Sequence, residues 1–398
     1  MSLEYKKLGD VADFIRGITY KPNDLVENFS EGSTVCMRTA NVQVQLKQDD
    51  LLSVPDNLVK NEDKFLIEGD ILVSTANSWN LVGKCCWVPK LEYSATAGGF
   101  ISILRANQEK LDQRYLYHWF NSPNTQLLAR NCGRQTTNIS NMDLERCLSI
   151  KIPLPPLAEQ RRIASILDQA DELRQKRQQA IEKLDQLLQA TFIDMFGDPV
   201  SNPKGWELKA VGDVSESKLG KMLDKKKQSS ENDQYKYLRN ANVQWFKFDL
   251  SDLFEMEFNE KDRKNCELKY DDILVCEGGE PGRAAIWKDQ LENCYFQKAL
   301  HRVRLDTSKI LPEYFVWLFW FYSKNGGFDD YITVATIAHL TGVKMKAMKI
   351  PIPSLKLQED FKQKVLEIDN LKTKHEQSSK LVENLFKSLQ NKAFSGNL

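Results

Sequence analysis

The sequence states one pattern twice. Ile150-Lys151-Ile152-Pro153-Leu154-Pro155-Pro156-Leu157 returns 198 residues later as Met348-Lys349-Ile350-Pro351-Ile352-Pro353-Ser354-Leu355. Upstream, Leu8-Gly9-Asp10-Val11 matches Val211-Gly212-Asp213-Val214, and the next glycine of each copy is Gly17 or Gly220. Arg38-Thr39-Ala40-Asn41-Val42-Gln43 matches Arg239-Asn240-Ala241-Asn242-Val243-Gln244, and Gly69-Asp70-Ile71-Leu72-Val73 matches Asp271-Asp272-Ile273-Leu274-Val275. Tyr115-Leu116 then matches Tyr314-Phe315. The offset drifts from 203 to 198, so framework positions persist while loops change length. A chain of this kind is two similar modules with divergent loops.

Each module reads as α+β. Ile71–Ser74 and Ile273–Cys276 are β-rich runs after an acidic turn, and Phe100–Leu104 and Leu300–Arg304 read as later strands. Tyr115–Phe120 and Tyr314–Tyr322 read as short apolar helices. Regular β-α-β alternation is missing, which argues against a doubly wound parallel sheet. Each proline motif opens a long polar helix. The first is bounded by Pro155-Pro156 and by Gly197 with Pro199. Its predicted pairing stripe is Ile163, Ile166, Ala170, Leu173, Arg177, Ala180, Leu184, Leu187 and Thr191. The second stripe is Phe361, Lys364, Ile368, Leu371, His375, Ser378, Val382, Leu385 and Leu389, each 198 residues on. Steps of three and four make a coiled-coil seam, apolar at its ends and weak at Arg177 and His375. In an antiparallel pair the weak centres meet. Two roles are open for these residues: fixing register, or snorkelling at the seam edge.

Catalytic signatures are missing. There is no phosphate-binding Gly-rich loop, no dinucleotide loop, no His-Glu-x-x-His and no Gly-x-Ser-x-Gly. The eight cysteines form no Cys-x-x-Cys and the four histidines stand singly, so no metal site is expected and the thiols read as reduced and buried. Lys plus Arg equals Asp plus Glu at 55 each, so any nucleic-acid contact must come from a local patch. Mean hydropathy is −0.48, and the longest strongly apolar run, Tyr314–Tyr322, falls far short of a membrane span. The N-terminus lacks an apolar signal core, and a cytoplasmic protein is expected.

Loops at matched places differ in chemistry and suit base reading. The first module offers Asn77, Trp79, Asn80 and Lys84, then Arg134, Gln135, Thr136 and Asn138. The second offers Glu277, Glu280 and Arg283, then Thr336 and His339. Asn pairs with adenine, Arg with guanine, and Glu accepts from cytosine. Arg38 with Asn41 and Arg239 with Asn242 are framework candidates, and Lys218 and Lys221 begin a basic run suited to phosphates.

The pattern resembles the specificity subunit of type I restriction–modification systems. Ile152-Pro153-Leu154-Pro155-Pro156-Leu157-Ala158-Glu159-Gln160-Arg161-Arg162-Ile163, Met195-Phe196-Gly197-Asp198-Pro199 and the repeat itself carry the resemblance, over essentially the whole chain. The second motif departs, with Ser354 for the third proline and Leu357-Gln358 for Glu159-Gln160. The resemblance implies two target-recognition domains (1–152 and 199–352) and two conserved helices (153–198 and 353–398) packed as an antiparallel coiled coil. Each domain would read one half of a bipartite site in double-stranded DNA. Two modification subunits would dock on the chain and restriction subunits would supply translocation. This chain would hold no catalytic centre and no cofactor; S-adenosylmethionine, ATP and magnesium would belong to the partners. A helix of about 40 residues spans ~60 Å, or ~17 base pairs, which makes the helices a ruler.

Overall fold

The structure, a computed structural model, describes residues 4–135, 139–223, 234–334 and 338–398, and only the backbone of Arg134, Gln135, Thr333 and Val334. It divides into two compact units, residues 1–178 with 377–398 and residues 179–376. Each unit therefore takes one module together with half of each long helix.

The units are built alike. In the first, a four-stranded antiparallel sheet runs in the order β1 (Ala12–Arg16), β4 (Ile101–Ala106), β2 (Ile71–Ser74), β3 (Cys85–Trp87). In the second the order is β5 (Ser215–Leu219), β8 (Leu300–Leu305), β6 (Ile273–Cys276), β7 (Ala284–Ile286). A smaller sheet repeats as well. Ser33–Met37 lies parallel to Ala95–Ala97, and Gln234–Leu238 lies parallel to Tyr295–Phe296. Among the described residues the large sheets are antiparallel and no alternation of strand and helix builds a doubly wound parallel sheet, which leaves the α+β arrangement the sequence predicts. The repeated glycines have a steric reason. A Cβ on Gly17 would meet Gly98 O at 2.2 Å, and one on Gly220 would meet Gln297 O at 2.3 Å.

Apolar faces set the core. Helix α1 (Gln113–Phe120) and helix α3 (Pro312–Lys324) lie against the large sheets, and one tyrosine of each ties back to the proline motif. Tyr115 Oη donates to Pro153 O, and Tyr314 Oη to Pro351 O, both at 2.9 Å. Helix α2 (Leu157–Phe196) and helix α4 (Leu355–Ser395) start at matched residues. A buried glutamine explains this despite the altered second motif. Gln160 donates to Pro155 O at 2.8 Å and accepts from Asp112 N at 2.8 Å. Gln358 donates to Pro353 O at 2.9 Å and accepts from Leu311 N at 2.8 Å. Neither Glu159 nor the third proline takes part in this clamp.

The long helices pack antiparallel within each unit. Arg174 lies 3.5 Å from Glu383 and Arg177 donates to Ser378 in the first, while Lys372 lies 2.6 Å from Asp185 and Phe192 stacks edge-on to Phe361 in the second. Most of the predicted seam is buried or half-buried there: Ile163, Ile166, Ala170, Arg177, Ala180, Leu184 and Thr191 on the first helix, and Phe361, Ile368, His375, Ser378, Val382 and Leu389 on the second. Where the predicted residue turns outward, as Lys364 and four leucines do, the seam is corrected by one residue. Leu173, Leu187, Leu371 and Leu385 are 43%, 51%, 45% and 53% exposed, and Ile166 is less buried than Leu167. The next residue in each case is buried or half-buried: Leu167, Arg174, Leu188, Val365, Lys372 and Phe386. Charged side chains occupy seam positions beside the outward leucines, Arg174 next to Leu173 and Lys372 next to Leu371. Arg174 is held by Asp171 and Glu383, and Lys372 by Asp185, so their stems lie in the seam while their heads are paired. His375 is half-buried with Nδ1 unpartnered.

Leu188→Ala costs about 2–5 kcal/mol in urea unfolding, as a buried leucine does, whereas Leu187→Ala costs under about 1 kcal/mol. Equal losses would restore the original seam.

Candidate nucleic-acid interface

Loops far apart in sequence meet in each unit. Ala76–Asn77 pairs with Ser140–Met142, which pairs with Gly133–Gln135. The loop carrying Asn77, Trp79, Asn80 and Lys84 and the loop carrying Arg134 and Gln135 thus share one three-stranded sheet. The second unit repeats the meeting. Gly278 bridges His339, and Leu340 N donates to Glu277 O at 2.7 Å. The Arg38–Gln43 turn joins this surface, because Lys84 Nζ donates to Gln43 Oε1 at 2.5 Å. In the second unit Asn240 Nδ2 donates to Gly278 O at 2.5 Å, and Arg283 Nη2 to Asn240 O at 2.9 Å. Turn, loop and hairpin form one surface per unit.

The candidates differ in what they have left to offer. Asn80 is exposed and Trp79 half-buried. Asn77 is half-buried; its amide donates to Ser74 Oγ at 3.3 Å and its oxygen accepts from Ser78 N at 2.8 Å. His339 is exposed at the bridge. Glu277 lies 3.7 Å from buried His301, whose imidazole burial pushes toward the neutral form. Glu280 accepts from Trp245 Nε1 at 2.7 Å and lies 3.4 Å from Arg283 Nη1. Lys218 is exposed and 3.2 Å from Glu216. Thr136, Asn138 and Thr336 lie outside the described residues, as do the side chains of Arg134 and Gln135 and the run Lys225, Lys226, Lys227.

Some candidates are framework instead. Asn41 and Asn242 are buried, and each amide is spent inside its own turn. Asn41 accepts from Arg38 N at 2.8 Å and donates to Lys47 O at 2.9 Å. Asn242 accepts from Arg239 N at 2.9 Å and donates to Asp249 O at 2.9 Å. Reaching a base would break the turn. Arg38 and Arg239 brace the same turns through Asp50 at 2.9 Å and Asp252 at 2.7 Å, and Arg239 lies over Phe254 at 3.5 Å. Lys221 is held by Asp262 at 2.7 Å and Glu257 O at 2.6 Å, so it is not an open phosphate contact. Sequence reasoning passed over Gln43, exposed at the turn tip, and Asn240; both stand inside the repeated Arg-x-Ala-Asn-Val-Gln motif that singled out their neighbours.

Among the described residues, no group of three or more His, Cys, Asp or Glu is placed to hold a metal ion, and no helix is long and apolar enough to cross a membrane. The eight cysteines are free and buried, and burial pushes the thiols of Cys36 and Cys86 up to about 12. What the surface offers is neutral and charged hydrogen-bonding groups on rigid turns, the chemistry of base-edge recognition.

A family model of the type I restriction modification DNA specificity domain matches residues 2–183 and again 203–383. The chain is 24% identical over 415 residues to the type I restriction enzyme StySPI specificity subunit of Salmonella potsdam, covering 98% of this chain and 87% of that one. It is 25% identical over 418 residues to the EcoKI specificity subunit of Escherichia coli K12, with the same coverage. The S subunit of a type I system from M. genitalium has a similar fold, with TM-score 0.56 and 15% identity over 99% of this chain and 96% of that one. A chain from a structure of type I R-M complex assembly and conformational transition superposes with TM-score 0.59 and 16% identity over the full length of both.

Proposed function

Since the chain belongs to the type I restriction–modification DNA specificity family, whose members are the non-catalytic specificity subunits of their complexes, we propose that it selects the DNA sequence on which partner subunits act. Each unit reads one half of a bipartite site in double-stranded DNA through its turn, loop and hairpin. The observation that carries this reading is the duplicated surface itself. Its frame repeats, down to Asn41 and Asn242 locking the same turn, while the loop that carries Asn77, Asn80 and Lys84 in one copy stands where the loop that carries Glu277, Glu280 and Arg283 stands in the other. One frame with two chemistries is what two different half-sites require.

The four segments keep their proposed roles: 1–152 and 199–352 recognise DNA, and helices 153–198 and 353–398 separate them. Two modification subunits dock on the helices and bring S-adenosylmethionine; restriction subunits bring ATP and magnesium. Leu173, Leu187, Leu371 and Leu385, exposed on the helices, supply apolar surface for such docking.

The test is to map the methylation motif in cells expressing this chain with its modification subunit. Wild type gives one bipartite adenine motif. Inserting four helical residues after Leu184 adds about 6 Å, and the spacer should grow by about two base pairs. A spacer that stays the same length removes the ruler, and a motif with no gap removes the bipartite reading.

A further inference from the structure

The two units differ sharply at one matched place. The tyrosine clamps align Tyr115 with Tyr314, which aligns Arg114 with Glu313 and His118 with Trp317. The glutamine clamps align Gln160 with Gln358, which aligns Asp168 with Leu366. Strand register aligns Trp87 with Ile286, since they face Ile71 and Ile273.

In the first unit this place is filled by the chain's own cation. The Arg114 guanidinium lies 4.5 Å from the Trp87 ring centroid and 5.0 Å from that of Tyr117. Its Nε donates to Asp168 Oδ1 at 3.0 Å, and His118 Nε2 lies 2.7 Å from the same oxygen. Burial pushes the Asp168 carboxyl up, but the hydrogen bonds from His118 and Arg114 outweigh it and hold it at about 2. A guanidinium between aromatic faces and a carboxylate is thus a stable filling for this site.

In the second unit the filling is gone and its charge is reversed. Glu313 replaces the arginine, and a cavity of about 760 Å³ opens between helices α2, α3 and α4 and the Trp245–Lys247 segment. Trp245, Phe246, Trp317 and Trp320 furnish its aromatic surface. Glu313 is only 4% exposed; Oε1 is 3.3 Å from Lys288 Nζ, and Oε2 has no hydrogen-bond partner. Lys288 is drawn away by Asp271, its nearer partner. A buried carboxylate oxygen without a donor is costly, and an arriving cation would remove the cost. The mouth carries exposed apolar side chains, Phe246 at 40% and Leu366 at 47%. Aromatic walls with an apolar rim around an arginine are the features of a protein–protein anchor point.

We infer that this cavity receives an arginine side chain from a docked protein partner, supplying from outside the guanidinium that Arg114 supplies from within in the first unit. The partner is identified as a modification subunit only through the function proposed above; the chemistry of the pocket does not depend on that reading.

Two arms test it on the full-length protein. In the first, N-acetyl-arginine amide is titrated while tryptophan fluorescence is read, with N-acetyl-norleucine amide as the uncharged control. Wild type gives a saturable change with the arginine probe alone. Glu313→Gln, which keeps size and removes charge, weakens it by about tenfold or more. The double variant Glu313→Arg with Leu366→Asp rebuilds the first unit's filling and abolishes it. Equal responses to the two probes, or an unchanged response in Glu313→Gln with an unchanged melting curve, overturn the inference. In the second arm the modification subunit is co-purified. The filled double variant and Glu313→Gln should bind it about tenfold more weakly or worse. Arginine-probe binding without any such weakening means a small guanidinium compound is the occupant, and overturns the protein source. Failure of wild type to bind the modification subunit at all overturns the proposed docking and leaves the first arm to decide the pocket.

Discussion

Exchanging residues 1–152 for the matching segment of another specificity subunit changes one half of the methylated motif and leaves the other half intact. The reason lies in how each reading surface is held. In the first unit the turn, loop and hairpin hang on the Asn41 staple, the Lys84–Gln43 contact and the pairing of Asn77 with Ser140, all inside that segment. The second surface rests on Asn242, Asn240 and the Gly278–His339 bridge, none of which the exchange touches. Specific over non-specific discrimination runs to roughly 10³- to 10⁷-fold, so the affected half should lose its old sequence by that order in competition binding. The donor must keep the tyrosine that reaches Pro153 O and the backbone N–H that meets Gln160, or the segment will not seat on helix α2. A motif altered in both halves, or in neither, would sink the assignment of one half-site per unit.

The second large effect concerns stability. Asp70→Ala and Asp272→Ala each cost about 3–5 kcal/mol, because each carboxylate is fully desolvated and holds a charge that would be left unpaired. Asp70 is 0% exposed; it accepts from Arg105 Nε and Nη2 at 2.7 Å each and from Ile67 N at 2.9 Å. Asp272, 1% exposed, does the same for Arg304 Nε and Nη2 at 2.7 Å and for Lys269 N at 2.7 Å. Each aspartate thus fixes a strand and the turn before it in one stroke. Urea unfolding of the purified variants is the measurement. A loss below about 1 kcal/mol would place these pairs with ordinary surface salt bridges.

The repeated Gly/Asp-Asp-Ile-Leu-Val segment made the β2 and β6 strands legible, because a turn signal next to a β-rich apolar run has few other solutions. The long helices were legible for the same kind of reason, with prolines before them and Gly197 after the first. Their facing surfaces were legible in large part, and missed where leucines turn outward. Periodicity finds leucines, and here Arg174 and Lys372 hold seam positions that their paired acids make tolerable, Asp171 and Glu383 for the first and Asp185 for the second. Asn41 and Asn242 misled in another way. A buried asparagine that locks its own turn and an exposed one that reads a base look identical in a sequence, and only burial separates them. The matched position of Arg114 and Glu313 was visible in the alignment of the two copies, but the meaning of the charge reversal waited on the ring and carboxylate placed around it.

The division of the chain into units also orders events in time. Residues 377–398 belong with residues 1–178, whereas residues 179–376 are uninterrupted. Phe386 and Ala393 lie in the same buried cluster as Leu8 and Tyr115. On a ribosome moving at about 5–20 residues per second, the 198 residues between Gln178 and Gln377 take roughly 10–40 s. The half of the protein begun first must therefore wait, its apolar face uncovered, for a helix made after the other half is already finished.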